Sequence, residues 1–308
     1  KHPAYGIVYI TQLGFENRAF RNYLNIDKRK GEGTMEKYKI QKDSVQETLI
    51  IPLYGRKLAM DMYPENFADH HCQQLFDRID YDFPKQGKLK AKVGAIMAAT
   101  RQYDLASVCK EYLERHPKAC VVNLGCGLDT TFRQVDNGTA KGYNIDFPDV
   151  IAARNELLPE TEREKNIAGN LNDISWFDQI DYQQEEGAVF FASGVFYYFK
   201  REDVKKLFCS MAEHFPGGKL VFDATNARGL KNMLKTWLEP SEMGNIGVYF
   251  SLEDEMELMT WSNAFSGAAR KGYLTGYRPL DKRYGVILNF VFRYLDKHKM
   301  CQIIELTF

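Results

Sequence analysis

The sequence predicts an α/β fold built on a doubly wound, mostly parallel sheet. Short apolar segments bounded by glycine, proline or polar residues recur between residues 120 and 224, and the intervals between them leave room for helices. Two of these intervals carry segments of helical length, and a glycine-rich loop follows the first apolar segment. Strands that alternate with helices in this way pair in parallel and are joined by right-handed crossovers.

The part of the chain before the first strand is predicted to be mainly helical. In the segment SVCKEYLERH, apolar side chains at Val108, Tyr112 and Leu113 are separated by charged ones, which is the period of an amphipathic helix. We therefore define residues 35–115 as a helical N-terminal region. Residues 1–34 contain a strand-like YGIVYI and a helix-like ENRAFRNYL, and we assign no role to this extension.

The sheet is predicted from five apolar segments in residues 116–225. The first is a continuous apolar run between breakers, as expected of a strand that is buried on both faces. The helices between strands include PDVIAARNELL and REDVKKLFCSMAEHF, and a Pro-Gly-Gly sequence ends the second of them. The predicted strands are residues 120–125, 142–146, 164–171, 187–193 and 218–224.

The alternation stops after the fifth strand. Residues 226–261 contain two of the three tryptophans and four of the ten methionines, in a mostly helical pattern. Such side chains suit either additional core or a cap over an apolar substrate, and we assign the segment as an inserted helical cap. Residues 262–308 return to the sheet domain, and MCQIIELTF is predicted as a last strand at or near the end of the sheet.

The composition limits the classes of partner. Hydrophobic residues make up 44% and charged residues 27% of the chain, as in globular domains. Lys plus Arg and Asp plus Glu both total 41, so no global field attracts nucleic acid or acidic lipid. We predict a small-molecule partner and no nucleic acid, and the sequence does not predict an oligomeric state.

The cysteines and the apolar runs predict a cytoplasmic protein. The six cysteines form no CxxC pair and, without a recognisable signal peptide, indicate reduced thiols. The longest apolar runs are too short and too interrupted to span a bilayer, so no membrane partner is predicted. His70, His71 and Cys72 are adjacent rather than at metal-ligand spacing, and no metal site is predicted.

The stretch VVNLGCGLDTTF predicts a ligand site. In an open α/β sheet, ligands bind at the carboxyl ends of the strands, near the point where the strand order reverses. Gly125 and Gly127 would let a ligand approach the backbone, because a Cβ atom would hold it away. Asp146 ends the next strand, at about the interval along the chain at which an acidic residue meets a ribose diol.

The same loop favours a ligand without phosphates. The position at which a dinucleotide fold prefers a third glycine is Thr130, and the carboxylate of Asp129 lies where it would repel a diphosphate. A ribose-bearing cation such as S-adenosylmethionine suits the loop better. We therefore predict a pocket for a phosphate-free, positively charged nucleoside.

A set of motifs extends this prediction to a family. In chain order they are ETLIIPLYGRKLAM, RIDYDF, VVNLGCGLDTTFRQVDNG, YNIDFPDVIAAR, WFDQI, SGVFYYF and FPGGKLVFD. Together they resemble the class I S-adenosylmethionine-dependent methyltransferases of the leucine carboxyl methyltransferase family, in its tetracenomycin polyketide O-methyltransferase-like branch. The likeness covers residues 45–308, more loosely after residue 225. It implies a seven-stranded Rossmann-like methyltransferase sheet, S-adenosylmethionine as cofactor and O-methylation of a small organic acceptor.

The resemblance also implies roles for individual residues. Gly125 and Gly127 would hold the methionine part of the cofactor, and Asp146 would take the ribose hydroxyls. Asn170 and Leu171 would flank the adenine. The full set of implied cofactor positions is Gly125, Cys126, Gly127, Asp129, Asp146, Asn170, Leu171, Gly194, Val195 and Arg101.

The acceptor side of the predicted site is less defined. Gly194 and Val195 would lie beside the reacting methyl group, with Ser193 and Tyr198 as candidate lining residues. No histidine in the motif runs is placed to act as a general base. A carboxylate acceptor is already ionised at neutral pH and needs no base, whereas a phenol would benefit from one. The sequence therefore favours a carboxylate acceptor.

The chain also departs from the family pattern. Four positions that the family keeps charged are neutral here: Ala99, Thr131, Asn144 and Ser193. The arginine expected at position 99 would pair with the cofactor carboxylate, and Arg101 is a candidate substitute, although on a helix it would point elsewhere. These changes leave open a catalytically altered or inactive binding or regulatory protein. A third possibility is a nicotinamide-dependent oxidoreductase, which Thr130 opposes.

Overall fold

The computed structural model describes residues 37–40, 45–81, 88–233 and 247–308, so the extension at residues 1–34 lies outside the described residues. The helices are α1 (Val45–Met62), α2 (His70–Arg78), α3 (Lys88–Arg115), α4 (Thr131–Val135), α5 (Pro148–Leu157), α6 (Arg201–His214), α7 (Ala227–Met233) and α8 (Val286–Lys297). The strands are β1 (Tyr38–Lys39), β2 (Ile79–Asp80), β3 (Cys120–Leu124), β4 (Lys141–Asp146), β5 (Glu164–Ala168), β6 (Ala188–Ala192), β7 (Lys219–Ala224), β8 (Gly267–Gly272) and β9 (Gln302–Thr307).

Seven strands form one sheet, in the order β5-β4-β3-β6-β7-β9-β8. The pairs from β5 to β7 are parallel, and β9 runs antiparallel to both β7 and β8. The chain moves outward from β3 to β5 and then returns to β6 on the other side of β3. The predicted doubly wound, mostly parallel, seven-stranded Rossmann-like sheet is therefore confirmed, and its strand order reverses between β3 and β6.

The central strands are buried on both faces, as the apolar run predicted. All five residues of β3 are buried. Val122 belongs to a core cluster with Phe208 of α6, whereas its neighbour Val121 belongs to a cluster with Leu105 of α3 and Phe292 of α8. Alternate residues of a strand point to opposite faces, so each face of the sheet carries its own apolar layer.

The N-terminal region is mainly helical in the ranges described, but β1 and β2 pair there as a short parallel sheet that was not predicted. Val108, Tyr112 and Leu113 of α3 are buried, as their spacing predicted. α1 packs along α3, and a Cβ atom at Gly55 would lie 3.1 Å from the Cβ atom of Ala98. Small residues at this crossing let the two helices approach closely. None of the helices in the described ranges combines the length and the apolar character that crossing a membrane requires.

The C-terminal part differs from the prediction in detail. The last predicted strand is β9, which lies near the sheet edge, but β8 is the edge strand and was not predicted. Its sequence, GAARKG, has no apolar alternation because its side chains are mostly half-buried on an edge. α8 was missed as well. Residues 226–261 include α7 and a 3-10 helix at Glu255–Thr260, and residues 234–246 lie outside the described residues, so the cap stays a prediction.

Candidate active site

A cavity of about 710 Å³ lies at the carboxyl ends of the central strands, with α1 and α3 contributing to its walls. It occupies the place where the strand order reverses, which is where open α/β sheets bind ligands. Eleven of the twelve residues predicted for the site line it: Arg101, Gly125, Cys126, Gly127, Asp129, Asp146, Leu171, Ser193, Gly194, Val195 and Tyr198. The cavity therefore brings together nearly all of the predicted site residues, although these are a minority of its lining.

Asn170 is the predicted residue that the structure does not bring into the cavity lining. Its side chain is exposed, and its amide oxygen accepts a hydrogen bond of 3.0 Å from the backbone N–H of Asn172. Its neighbours Gly169 and Leu171 do line the cavity. At this turn the backbone and Leu171 therefore face the ligand space, while the Asn170 amide stabilises the turn itself.

The glycine loop has a backbone that favours glycine. Gly125 has φ +65° and Gly127 has φ +47°, which is the left-handed region. A Cβ atom at Gly125 would also lie 2.7 Å from Cγ2 of Val195. Access for a ligand was the predicted reason for these glycines. The structure adds two others, the required backbone conformation and the close approach of the loop after β6.

Asp146 connects the end of β4 to the glycine loop. One of its carboxylate oxygens accepts a hydrogen bond from the backbone N–H of Gly127, and the other accepts one from Phe147, both at 2.8 Å. Burial raises the pKa of Asp146 to about 6, although these two donors and the charge of Arg154 act in the opposite direction. A carboxylate has about four lone-pair sites, so it can still accept hydrogen bonds from ligand hydroxyls.

Asp129 is held by protein groups. It accepts hydrogen bonds from Arg56 Nη1 at 3.1 Å, Gln102 Nε2 at 3.2 Å, Asn123 Nδ2 at 3.3 Å and the backbone N–H of Thr131 at 2.8 Å. Arg56, on α1, is buried and balances this charge. The sequence predicted that the Asp129 carboxylate would face the ligand and repel a diphosphate. In the structure that carboxylate also orders the loop. Sequence reasoning missed Arg56, although the motif LYGRK contains it.

Arg154 supports the loop from behind the cavity and was also missed. Its side chain is fully buried. Nη1 donates to the backbone oxygen of Gly127 at 2.9 Å and to that of Asp129 at 2.8 Å. Nη2 donates to the carboxylate of Glu164 at 3.1 Å, which Arg133 also contacts, at 2.6 Å. A buried charge needs such partners, and here they tie α5 and β5 to the ligand-binding loop.

A second charged cluster lies on the other side of the cavity, around Asp223 at the end of β7. Its carboxylate accepts hydrogen bonds from Arg101 Nη1 at 2.9 Å, the backbone N–H of Gly194 at 2.6 Å and the hydroxyl of Tyr197 at 3.0 Å. Arg101 does point in a different direction from Ala99, as helix geometry predicted. However, it is Arg101 that faces the cavity, while Ala99 is buried in the core.

The four neutral positions do not surround the cavity, contrary to expectation. Ser193 lines it, but Ala99, Thr131 and Asn144 do not. All three are buried elsewhere, and the amide of Asn144 donates to Glu164 at 2.9 Å, behind the loop. The neutral residues therefore affect mainly the packing around the site. They have less effect on the charges that face a ligand.

The residues present fit S-adenosylmethionine. The glycine loop leaves space at the backbone, and Asp146 offers acceptors to a diol. Arg56 and Arg101 both line the cavity, and the buried Nε atom of each has no hydrogen-bond partner among the described residues. Buried donors are rarely left unpaired, and a ligand carboxylate would satisfy either guanidinium.

Beside Gly194, the described lining contains no evident general base, although Lys90, whose pKa burial lowers to about 8, lines the cavity farther along α3. No histidine is among the lining residues. Burial raises the pKa of Tyr198 to about 12, so its phenol stays protonated at neutral pH. The Asp223 carboxylate is already engaged by three donors. The site can bind, orient and exclude water, but it is poorly equipped to remove a proton.

Comparisons with known proteins point to one family. The family model described as leucine carboxyl methyltransferase matches residues 35–212. The chain is 29% identical over 186 residues to the tetracenomycin polyketide synthesis O-methyltransferase TcmP of Streptomyces glaucescens, covering 60% of this chain and 67% of that protein. It is 24% identical over 281 residues to the S-adenosyl-L-methionine-dependent methyltransferase dpfgK of Gibberella zeae, covering 85% and 93%. The solved plantazolicin methyltransferase BpumL, in complex with a triazolic desmethylPZN analogue and SAH, has a TM-score of 0.46 at 13% identity, covering 85% of this chain and 98% of BpumL.

Proposed function

The chain belongs to the leucine carboxyl methyltransferase family, a family of S-adenosylmethionine-dependent methyltransferases, and on that premise we propose that it methylates an oxygen of a small organic acceptor. The observation that carries the proposal is one cavity whose lining includes the glycine loop, Asp146 and Gly194. Such a cavity would hold a nucleoside and an acceptor side by side, and alignment of two reactants is the main requirement of such a displacement.

When bound, S-adenosylmethionine supplies a methyl group activated by a sulfonium, which becomes a neutral thioether once the acceptor oxygen has taken the methyl. Asp146 would accept hydrogen bonds from the ribose hydroxyls, and the loop at Gly125 and Gly127 would hold the methionine part. One of the two guanidiniums that line the cavity, Arg56 or Arg101, would pair with the cofactor carboxylate. The protein contributes alignment and water exclusion, which are worth up to ~7–11 kcal/mol in well-oriented cases.

The acceptor that we favour is a carboxylate. A carboxylate oxygen attacks without losing a proton, whereas a phenol must first be deprotonated. The protonated phenol of Tyr198 and the fully engaged carboxylate of Asp223 support this choice, because neither is suited to act as a base. O-methylation by the relative TcmP, as its name states, is consistent with the proposal.

Calorimetry and a transfer assay test the proposal in sequence. Titration with S-adenosylmethionine should show binding at micromolar to low millimolar concentration. Incubation with methyl-labelled cofactor should then label carboxylates, as base-labile esters, more than matched phenols. No cofactor binding at millimolar concentration would refute the function, and transfer to phenols alone would refute the carboxylate assignment.

The rival functions have less support. Only Ser193 among the neutral positions lines the cavity, which removes most of the motive for an inactive binding protein. An oxidoreductase would need a helix under a diphosphate, but α4 has only five residues, and the Thr130 hydroxyl donates to Asp69 at 3.1 Å. The cytoplasmic location and the absence of nucleic-acid partners stay predictions.

A further inference from the structure

An apolar track on α3 leads away from Gly194. Leu89, Val93, Met97 and Arg101 are spaced by four residues, and all four line the cavity. Residues at this spacing lie on one face of a helix. The track therefore carries three apolar side chains and ends in a guanidinium, whose Nη1 would lie only 2.7 Å from a Cβ atom built at Gly194.

The length of this track sets a scale for the ligand. Leu89 and Arg101 are twelve residues apart on α3, which corresponds to about 18 Å along the helix axis. The cavity continues over this whole distance, because both ends line it. An acceptor confined to the neighbourhood of Gly194 would leave the far part of the cavity unfilled.

A second wall of the cavity is apolar too, and it identifies the opening. Ile287, Leu288, Val291 and Leu295 of α8 line the cavity. Ile287 is 79% exposed and Val291 is 39% exposed, and Leu89, which also lines the cavity, is 41% exposed. Side chains that line the cavity and also contact solvent mark its mouth. Three of the exposed lining residues are therefore apolar and one, Asn232, is polar, and Leu89 places the mouth at the end far from Arg101.

We propose, on the basis of the function above, that the acceptor is an elongated molecule with one anionic end and a long apolar body. Its carboxylate lies beside Gly194, and its body runs along Val93 and Met97 and leaves the cavity between Leu89 and Ile287. Burying such a body is favourable at every methylene that leaves water. The exposed Ile287 thus serves as a binding residue for the distal part of the acceptor.

A series of linear carboxylates tests the proposal without turnover. Butanoate, octanoate, dodecanoate and hexadecanoate would be titrated, below their aggregation concentrations, into the protein saturated with S-adenosylhomocysteine. Affinity should rise about two- to fourfold per methylene until the body passes the mouth, and then level off. Equal affinity across the series would overturn the proposal.

Two charge substitutions on α8 provide the matched comparison. Ile287→Asp places a carboxylate at the mouth and should abolish the gain from octanoate to dodecanoate, at least tenfold in affinity, without changing the affinity for S-adenosylhomocysteine. Phe290→Asp is the control, because Phe290 is 70% exposed on the same helix but does not line the cavity. It should leave the series unchanged. Equal effects of the two variants, or unfolding of both, would show that α8 is covered by protein and would overturn the proposal.

Lys90 calls for one further comparison. It is buried and lines the cavity beside Leu89, so it would attract a second anionic group at the far end of a ligand. Dodecanoate should bind more tightly than dodecanedioate if the body is apolar throughout, and tighter binding of the diacid would overturn the proposal. Failure of S-adenosylhomocysteine itself to bind would instead count against the proposed function, so the two failures are distinguishable.

Discussion

At the scale of single residues, Asp146 combines a structural role with a proposed role in ligand binding. Its carboxylate accepts hydrogen bonds from Gly127 and Phe147, which fixes the loop relative to β4. The same carboxylate is the acceptor proposed for the ribose hydroxyls. Burial raises its pKa to about 6, well above the ordinary value of an aspartate. Its charge is therefore sensitive to mild acid.

We predict that cofactor affinity falls as the pH falls through about 6. Below that pH Asp146 gains a proton and loses its charge-assisted hydrogen bonds to the ligand. The affinity for the cofactor should therefore fall by up to about tenfold per pH unit. Folding stability depends on pH in the opposite direction. Because the folded state favours the protonated acid, the contribution of Asp146 to stability is lost as the pH rises from about 4 to 6. Calorimetry with S-adenosylmethionine at pH 7.5 and pH 5 measures the first effect.

Asp146→Asn is the control for this titration. The variant should bind the cofactor about tenfold more weakly at neutral pH, since a hydrogen bond to a charged group is lost. Its affinity should not change between pH 7.5 and pH 5. If the variant kept the full pH dependence, another group would be responsible.

A second prediction at this scale concerns Gly125. Gly125→Ala should destabilise the protein by about 2–4 kcal/mol, from a left-handed backbone and a clash of the new Cβ atom with Val195. Gly138 is the matched control, since its φ is +85° and a Cβ atom there would meet nothing within 4 Å. Gly138→Ala should therefore cost only about 1–2 kcal/mol. Urea denaturation compares the two, and equal costs would contradict the role of Val195.

At the scale of elements, α5 and β5 hold the ligand-binding loop through one guanidinium. Arg154 donates to two loop carbonyl groups and to Glu164. These contacts join α5 and β5 to a loop whose residues Gly127 and Asp129 line the cavity. The loop thus has a support that does not depend on the ligand.

We predict that Arg154→Met destabilises the protein by about 3–5 kcal/mol, because it leaves buried carbonyl groups and Glu164 with fewer partners. Arg133→Met is the control. Arg133 contacts the same Glu164 but is more exposed and does not touch the loop, so its loss should cost about 1 kcal/mol. Chemical denaturation of both variants measures the loss in the free energy of unfolding. Similar losses would argue against a special role of Arg154 in holding the loop.

For the whole molecule, Asp104 couples stability to pH. The side chain is 1% exposed, and neither of its carboxylate oxygens has a hydrogen-bond partner among the described residues. Burial raises its pKa to about 8, although Arg278 acts in the opposite direction. The folded state therefore binds a proton that the unfolded chain releases near pH 4, and folding stability falls as the pH rises from about 4 to 8.

Asp104→Asn should remove this dependence. We expect the variant to be more stable than the natural chain at pH 8.5, because its folded state no longer holds a proton that the unfolded chain has released, and to differ from it much less at pH 5. Urea denaturation at the two pH values gives the comparison. The same difference at both pH values would mean that Asp104 does not titrate as its surroundings indicate.

Much of this molecule could be predicted from its sequence. The apolar run through Val121 and Val122 defined a strand buried on both faces, and the glycine pattern with Asp146 located the cavity. These signals are local, since each depends on residues close together in the chain. The family likeness extended them to residues such as Leu171 and Val195.

The remaining features depend on contacts that no local pattern records. Arg56 meets Asp129 across 73 positions and Arg101 meets Asp223 across 122, so neither ion pair has a sequence signature. β8 escaped prediction because its GAARKG sequence has no apolar alternation. The direction of Arg101 was predictable from helix geometry, but the side of α3 that faces the cavity was not.

The position of β9 has a consequence for how the chain is made. β9 pairs with β7 on one side and β8 on the other, although β8 emerges from the ribosome first. The nascent sheet must therefore keep β7 and β8 apart until the intervening strand arrives. A ribosome-bound chain in which β8 has left the exit tunnel but β9 has not should expose the edge of β7, and chaperones that recognise unpaired strands should bind it there.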